Sequence, residues 1–109
     1  MRKERIYISG PITGCDPNEA RANFFRAERK LRRLGYHTIN PLRMRLPVWL
    51  ATHGYYRLCL LIELVYLAYR ADCIYMLKGW LNSGGAKAEQ NLAAALGKTI
   101  MYQKKRNKQ

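Results

Sequence analysis

Acidic side chains are scarce in this sequence: 7 Asp and Glu stand against 20 Lys and Arg in 109 residues. The shortage excludes an acidic, cation-gathering surface, and it makes every carboxylate worth locating. Cysteine is scarce too. Cys15, Cys59 and Cys73 are odd in number and form no Cys-x-x-Cys, which argues against a disulfide scaffold and predicts reduced, mostly buried thiols. The only histidines are His37 and His53, at no ligand spacing with the cysteines, so neither a metal nor another cofactor is expected. Long hydrophobic runs are missing. The longest, Leu58 to Tyr69, is broken by Glu63 and falls short of the roughly 20 residues that cross a bilayer. The opening Met-Arg-Lys-Glu-Arg precedes only a short apolar run and does not read as a signal peptide. A cytoplasmic protein with no membrane partner is the expectation.

What is present points to a folded domain. Hydrophobic residues make up 49% of the chain, too many for a disordered segment, and the length suits one domain over residues 1–103 with a basic tail at 104–109. The net charge of +13 favours an anionic partner: nucleotide, phosphate or nucleic acid. It is spread over the first five residues, the stretch Arg21 to Arg33, and the tail Lys104, Lys105, Arg106 and Lys108, a pattern equally expected of a solvated surface.

Four short strands are predicted at Arg5–Ser9, Tyr36–Ile39, Asp72–Leu77 and Lys98–Tyr102, from their β-branched and aromatic content. Between them lie three helices. The first begins at Asp16-Pro17, an N-cap followed by proline at the first helical position. It carries Phe24, Phe25, Ala27, Leu31 and Leu34 at helical spacing, and it stops at Gly35. Residues 42–54 read as irregular, with Pro47 and Gly54. The second helix, Tyr55 to Arg70, is apolar nearly all round, which predicts burial on more than one side and a homodimer or larger assembly. The third spans Ala86 to Leu96 and ends at Gly97. Strands alternating with helices imply an α/β fold: a three-layer, flavodoxin- or Rossmann-like parallel sheet of about four strands with flanking helices. Ligands in such sheets bind outside the carboxyl ends of the strands.

The unusual residues follow those ends. Ser9-Gly10-Pro11-Ile12-Thr13-Gly14 is neither a Walker A loop nor Gly-x-Gly-x-x-Gly; it reads as an anion-binding turn or as a plain structural turn. Asn40-Pro41 closes strand two. After strand three, Ser83 precedes Gly84 and Gly85, which let a backbone approach a phosphate or hydroxyl. Glu89 follows on the helix among Ala86, Ala88 and Ala93 to Ala95, small neighbours that leave room for a ligand. The plain alternative is an acid stabilised near a helix N-terminus. Trp80 offers a stacking surface for a base or a packing contact for a helix.

Three motifs in order, Y-I-S-G-P-I-T-G from Tyr7, A-D-C-I-Y-M-L-K-G-W from Ala71 and S-G-G-A-K-A-E-Q-N-L-A from Ser83, resemble the nucleoside 2-deoxyribosyltransferase-like superfamily. The likeness covers roughly residues 5–102 and is closest to the small DUF4406 family found in phages and mobile elements. It implies cleavage of the N-glycosidic bond of a nucleoside or nucleoside 5′-monophosphate, by hydrolysis or by transfer of the sugar to another base. By that resemblance Glu89 is the nucleophile, Tyr7 orients it, and Asp72 falls in the region of a family acid. Ser83, six residues before the glutamate, helps hold a 5′-phosphate, and Ser9, Gly10 and the loop after them form another part of the cleft. The transferases are longer and complete their site with a partner subunit's C-terminal residues, where this sequence carries a basic tail. No second carboxylate lies between Asp72 and Glu89 to act as general acid; Asp16 and Glu63 are the other candidates, with Glu63 reaching a site across a dimer. Two alternatives stand beside the enzyme: a nucleotide-binding or sensing protein using the same cleft, and a nucleic-acid-binding protein using the basic helix Arg21–Arg33 and the tail.

Overall fold

The computed structural model describes residues 4–12, 16–43 and 56–104. Thr13, Gly14 and Cys15, the stretch 44–55 with Pro47, His53, Gly54 and Tyr55, and the tail from Lys105 onward lie outside the described residues. The elements run β1 (Arg5–Ser9), α1 (Pro17–Arg33), β2 (His37–Ile39), α2 (Tyr56–Arg70), β3 (Cys73–Met76), α3 (Gly84–Ala95) and β4 (Thr99–Tyr102), with 3-10 turns at Pro41–Arg43 and Trp80–Asn82. All strand pairs are parallel and the sheet order is β2-β1-β3-β4. This is the expected α/β architecture of four parallel strands with flanking helices. Among the described residues no helix is long and apolar enough to cross a membrane.

The two-residue period of the strands sorts their side chains into two layers. Ile6, Ile8, Cys73, Tyr75 and Leu77 face α1 and pack on Phe24, Ala27 and Leu31. Tyr7, Ile74 and Met76 point the other way, onto Leu67 and Ala71 at the end of α2 and Ala86 and Ala93 of α3. On α1 the buried stripe is Ala20, Phe24, Ala27 and Leu31, spaced three and four apart. Phe24 is 1% exposed, and truncating it to alanine is expected to cost about 4 kcal/mol. Two residues expected on that stripe are not on it. Phe25, about 100° further round the helix, lies under the guanidinium groups of Arg21 and Arg43 at 5.0 and 4.8 Å, and Leu34 is 65% exposed just past the last turn.

The helix boundaries follow local chemistry. Gly35 ends α1 with φ +96°, a left-handed conformation that side chains disfavour. Helix α3 begins two residues earlier than Ala86, because Ser83 is its N-cap and accepts the Ala86 amide at 3.2 Å. Asp16 holds the N-cap position of α1, but its side chain makes no capping bond.

In this topology the chain leaves β1 toward β2 on one side and returns to β3 on the other. The carboxyl ends of β1 and β3, where Ser9 pairs with Met76, are therefore the switch point of the sheet.

Candidate functional site

Tyr7 and Ser9 sit two residues apart on β1, so both project from the face covered by α2 and α3. Glu89 comes down on them from α3, one and a half turns past Ser83. The Tyr7 hydroxyl donates to Glu89 Oε2 at 2.6 Å, and the Ser9 hydroxyl donates to Oε1 at 2.6 Å. Each carboxylate oxygen thus takes one short, charge-assisted bond and keeps a second acceptor site. Tyr7 is 0%, Ser9 1% and Glu89 4% exposed, so the network lies under the surface of the switch point.

A second carboxyl joins it. Glu63, half-buried on α2, hydrogen-bonds the Glu89 side chain. Burial raises its pKa first, and the neighbouring Glu89 charge and the bond donated to Glu89 raise it further, to about 7. Burial also raises Glu89 above the ordinary carboxylate range, while the donors Ser9, Tyr7 and Glu63 oppose that shift. Burial thus holds both carboxyls above the ordinary carboxylate range, Glu63 to about 7. Burial and the adjacent acids push the Tyr7 hydroxyl well above its usual range, which keeps it a neutral donor. The sequence suggested that Glu63 would reach a site across a dimer; instead it meets Glu89 within one chain. The signal was its isolation in an apolar helix, four residues before Leu67, which is 0% exposed and so on the same helical face.

Asp72 is not brought to this cluster. It lies at the amino end of β3, where its carboxylate accepts the Arg5 amide at 2.9 Å and pairs with the Arg5 guanidinium at 3.8 Å. That is the opposite end of the sheet from Ser9 and Met76, and Asp72 ties the start of β1 to the start of β3. Gly10 is buried where the two carboxyl ends converge: a Cβ there would lie 2.8 Å from Leu77 Cβ, and Leu77 donates its amide to the Ser9 carbonyl at 2.7 Å. The glycine is thus required by strand packing. Pro11 is half-buried and Ile12 is 37% exposed beyond it.

Asn40 belongs to the α1 side of the sheet edge. Its Oδ1 accepts the Leu42 amide at 3.0 Å, and its buried Nδ2 lies toward Glu28 without a hydrogen bond of good geometry. Glu28 itself is 2% exposed and receives two bonds from Arg43 at 2.8 Å, which lower its pKa. Ser83 has its oxygen engaged as the α3 cap, and Gly84 and Gly85 form the first turn of that helix. Among the described residues, nothing approaches within 4 Å of a Cβ position on Gly84, in the first turn of α3. Trp80 packs on Tyr102, with ring centroids 5.8 Å apart, and against the α2–α3 core. Of the cysteines, Cys73 is buried and donates to Glu4 Oε2 at 2.8 Å, with its thiol pushed up to about 12, and Cys59 is half-buried. Neither is paired.

The fold is an open parallel sheet with the carboxyls of the buried Glu89 and the half-buried Glu63 beneath its switch point. The chain belongs to the family described as Domain of unknown function (DUF4406), whose model matches residues 4–102. No curated protein matches the chain.

Proposed function

We propose that the chain cleaves the N-glycosidic bond of a nucleoside 5′-monophosphate or nucleoside. The observation that carries this reading is the buried Glu89 carboxylate, oriented by Tyr7 and Ser9 and adjacent to Glu63, whose pKa burial raises to about 7. The resemblance of the three motifs to the nucleoside 2-deoxyribosyltransferase-like superfamily supplies the substrate class. In the reaction a Glu89 oxygen attacks C1′ of the sugar as the C1′–N bond breaks, and the bonding electrons leave with the base. Glu63 donates its proton to the departing base. The resulting glycosyl ester is opened by water at C1′, with Glu63 as the base that takes the water proton; a second nucleobase in place of water gives transfer. The 5′-phosphate is assigned to the N-terminus of α3, where the helix dipole favours an anion and the space beside Gly84 is open among the described residues.

The deep burial of Glu89 favours a second reading, recognition of a nucleotide without turnover, in which Glu89 accepts a ligand hydroxyl. Incubation with a panel of nucleosides and nucleoside 5′-monophosphates, followed by chromatography for free base, separates the two. Release by the wild type, reduced roughly 10³-fold or more in Glu89→Ala, is the expected result. Undiminished release by the variant would remove Glu89 from the chemistry, and binding with no release from any substrate would leave the recognition role.

We also propose that a second copy of the chain covers α2. Leu58, Leu61, Val65 and Tyr69 are 43, 57, 50 and 82% exposed, and their spacing of three and four places them on one stripe. A stripe of this kind suits an isologous two-fold contact.

A further inference from the structure

On the face of the sheet opposite Glu89, α1 packs over β2 and β1 and leaves an open cleft beside β3 and the end of β4, of about 590 Å³. Its floor is apolar and closed: Phe24, Tyr75 and Leu77 line it and are 1, 6 and 2% exposed. Its rims are cationic. Arg26 and Lys30 stand on the α1 side, four residues and so about 6 Å apart along the helix axis. Lys78 and Lys104 stand opposite. The Lys78 amide donates to Gln103 Oε1 at 2.9 Å, which ties the β3 and β4 ends together and holds both lysines on that rim.

Among the described residues, no acidic one lines the cleft. The other cations nearby are engaged within the fold: Arg43 and Arg32 both reach Glu28, Arg32 also donates to Thr38 at 3.0 Å, and Arg21 covers Phe25. Among the described residues, none of the four rim cations pairs with a carboxylate. Like charges facing one another across a cleft repel unless an anion lies between them.

We infer that this cleft binds the phosphate backbone of a single nucleic-acid strand. The fit rests on charge at several separate points along an open channel, as consecutive phosphates present it. The aromatic floor is buried, so no ring is offered for a base to stack on, and recognition without base preference follows. The cleft shares no side chain with the Tyr7–Ser9–Glu89–Glu63 cluster, and the inference does not depend on the proposed glycosidic cleavage.

The test is fluorescence anisotropy of a labelled 12-nucleotide oligothymidine with the full chain, titrated at several salt concentrations. Lys30→Glu and Lys78→Glu are each expected to weaken binding roughly tenfold and to reduce the magnitude of the salt slope by about 1 or more. Arg29→Glu makes the same charge change on an exposed position of α1 outside the cleft and is expected to change affinity less than twofold, as is Glu89→Gln. Equal losses in Lys30→Glu, Lys78→Glu and Arg29→Glu would assign binding to diffuse net charge and overturn the site. So would competition by inorganic triphosphate that matches the oligonucleotide at equal phosphate concentration, or the absence of any binding at low salt. All three reversals lie at the surface, and a far-UV circular dichroism spectrum equal to wild type keeps each result interpretable.

Discussion

At the scale of the residue, the carboxyl pair has consequences measurable apart from any substrate. Glu63 has a folded pKa of about 7, above its ordinary 4.5. A raised acid holds its proton more tightly in the folded state, so its contribution to stability is complete below about pH 4.5 and is lost as the pH rises through 7. Wild-type unfolding free energy is therefore expected to fall between pH 5 and 8 relative to Glu63→Gln, by roughly 2 kcal/mol. Parallel pH slopes in urea titrations of the two proteins would show that the proton is not on Glu63. The same proton shapes the proposed chemistry: base release should decline as the pH rises through about 7, and Glu63→Gln should remove that limb while lowering the rate. Gly10 makes a different demand. Gly10→Ala puts a methyl 2.8 Å from Leu77 Cβ, an overpacking expected to cost about 2 kcal/mol, read as a lowered denaturation midpoint. Glu89 was legible as a singular acid among alanines, and Gly10 as a turn glycine. That Gly10 meets Leu77, or that Ser9 meets Glu89, depends on contacts 67 and 80 residues apart in sequence, which local pattern does not encode.

At the scale of the element, helix boundaries were readable where a side chain or a glycine marks them, and less so where the mark has two meanings. Ser83 was read as a ligand contact; its oxygen caps α3, and the helix starts at Gly84. Ser83→Ala is expected to cost about 1 kcal/mol and to lower the melting temperature by about 5 °C, whatever it does to nucleotide binding. An unchanged melting temperature would show that the capping bond contributes nothing. In α1 the polar and apolar residues alternate sharply, so its inner face could be found, with Phe25 and Leu34 misplaced by one step of the helical turn. In α2 they do not. A helix apolar all round carries no phase, and so whether Glu63 pointed into its own chain or toward a second copy was undecidable before Leu67 was seen in the core.

At the scale of the whole molecule, the described helices shield the sheet unequally: α2 and α3 share one face, and among the described residues α1 takes the other. The first face holds the buried acids and ends outward in the apolar stripe of α2. Replacing Leu61 and Val65 by arginine is expected to halve the mass measured by light scattering at micromolar concentration, and a wild type that is monomeric there would remove the proposed two-fold contact. The second face holds the cationic cleft. The sequence by itself determined the class of fold, because strand and helix periods, turn residues and the Asp16-Pro17 helix start are local features that each need only a few neighbouring residues. It also singled out Glu89, since an isolated acid in an alanine-rich helix is visible without coordinates. Only the tertiary structure decided what Glu89 touches, that Asp72 stays at the far end of the sheet, and that Glu63 supplies the second carboxyl from the same chain. The reason is that strand order and helix phase are set by burial summed over the whole core, and the resulting neighbours lie dozens of residues away along the chain.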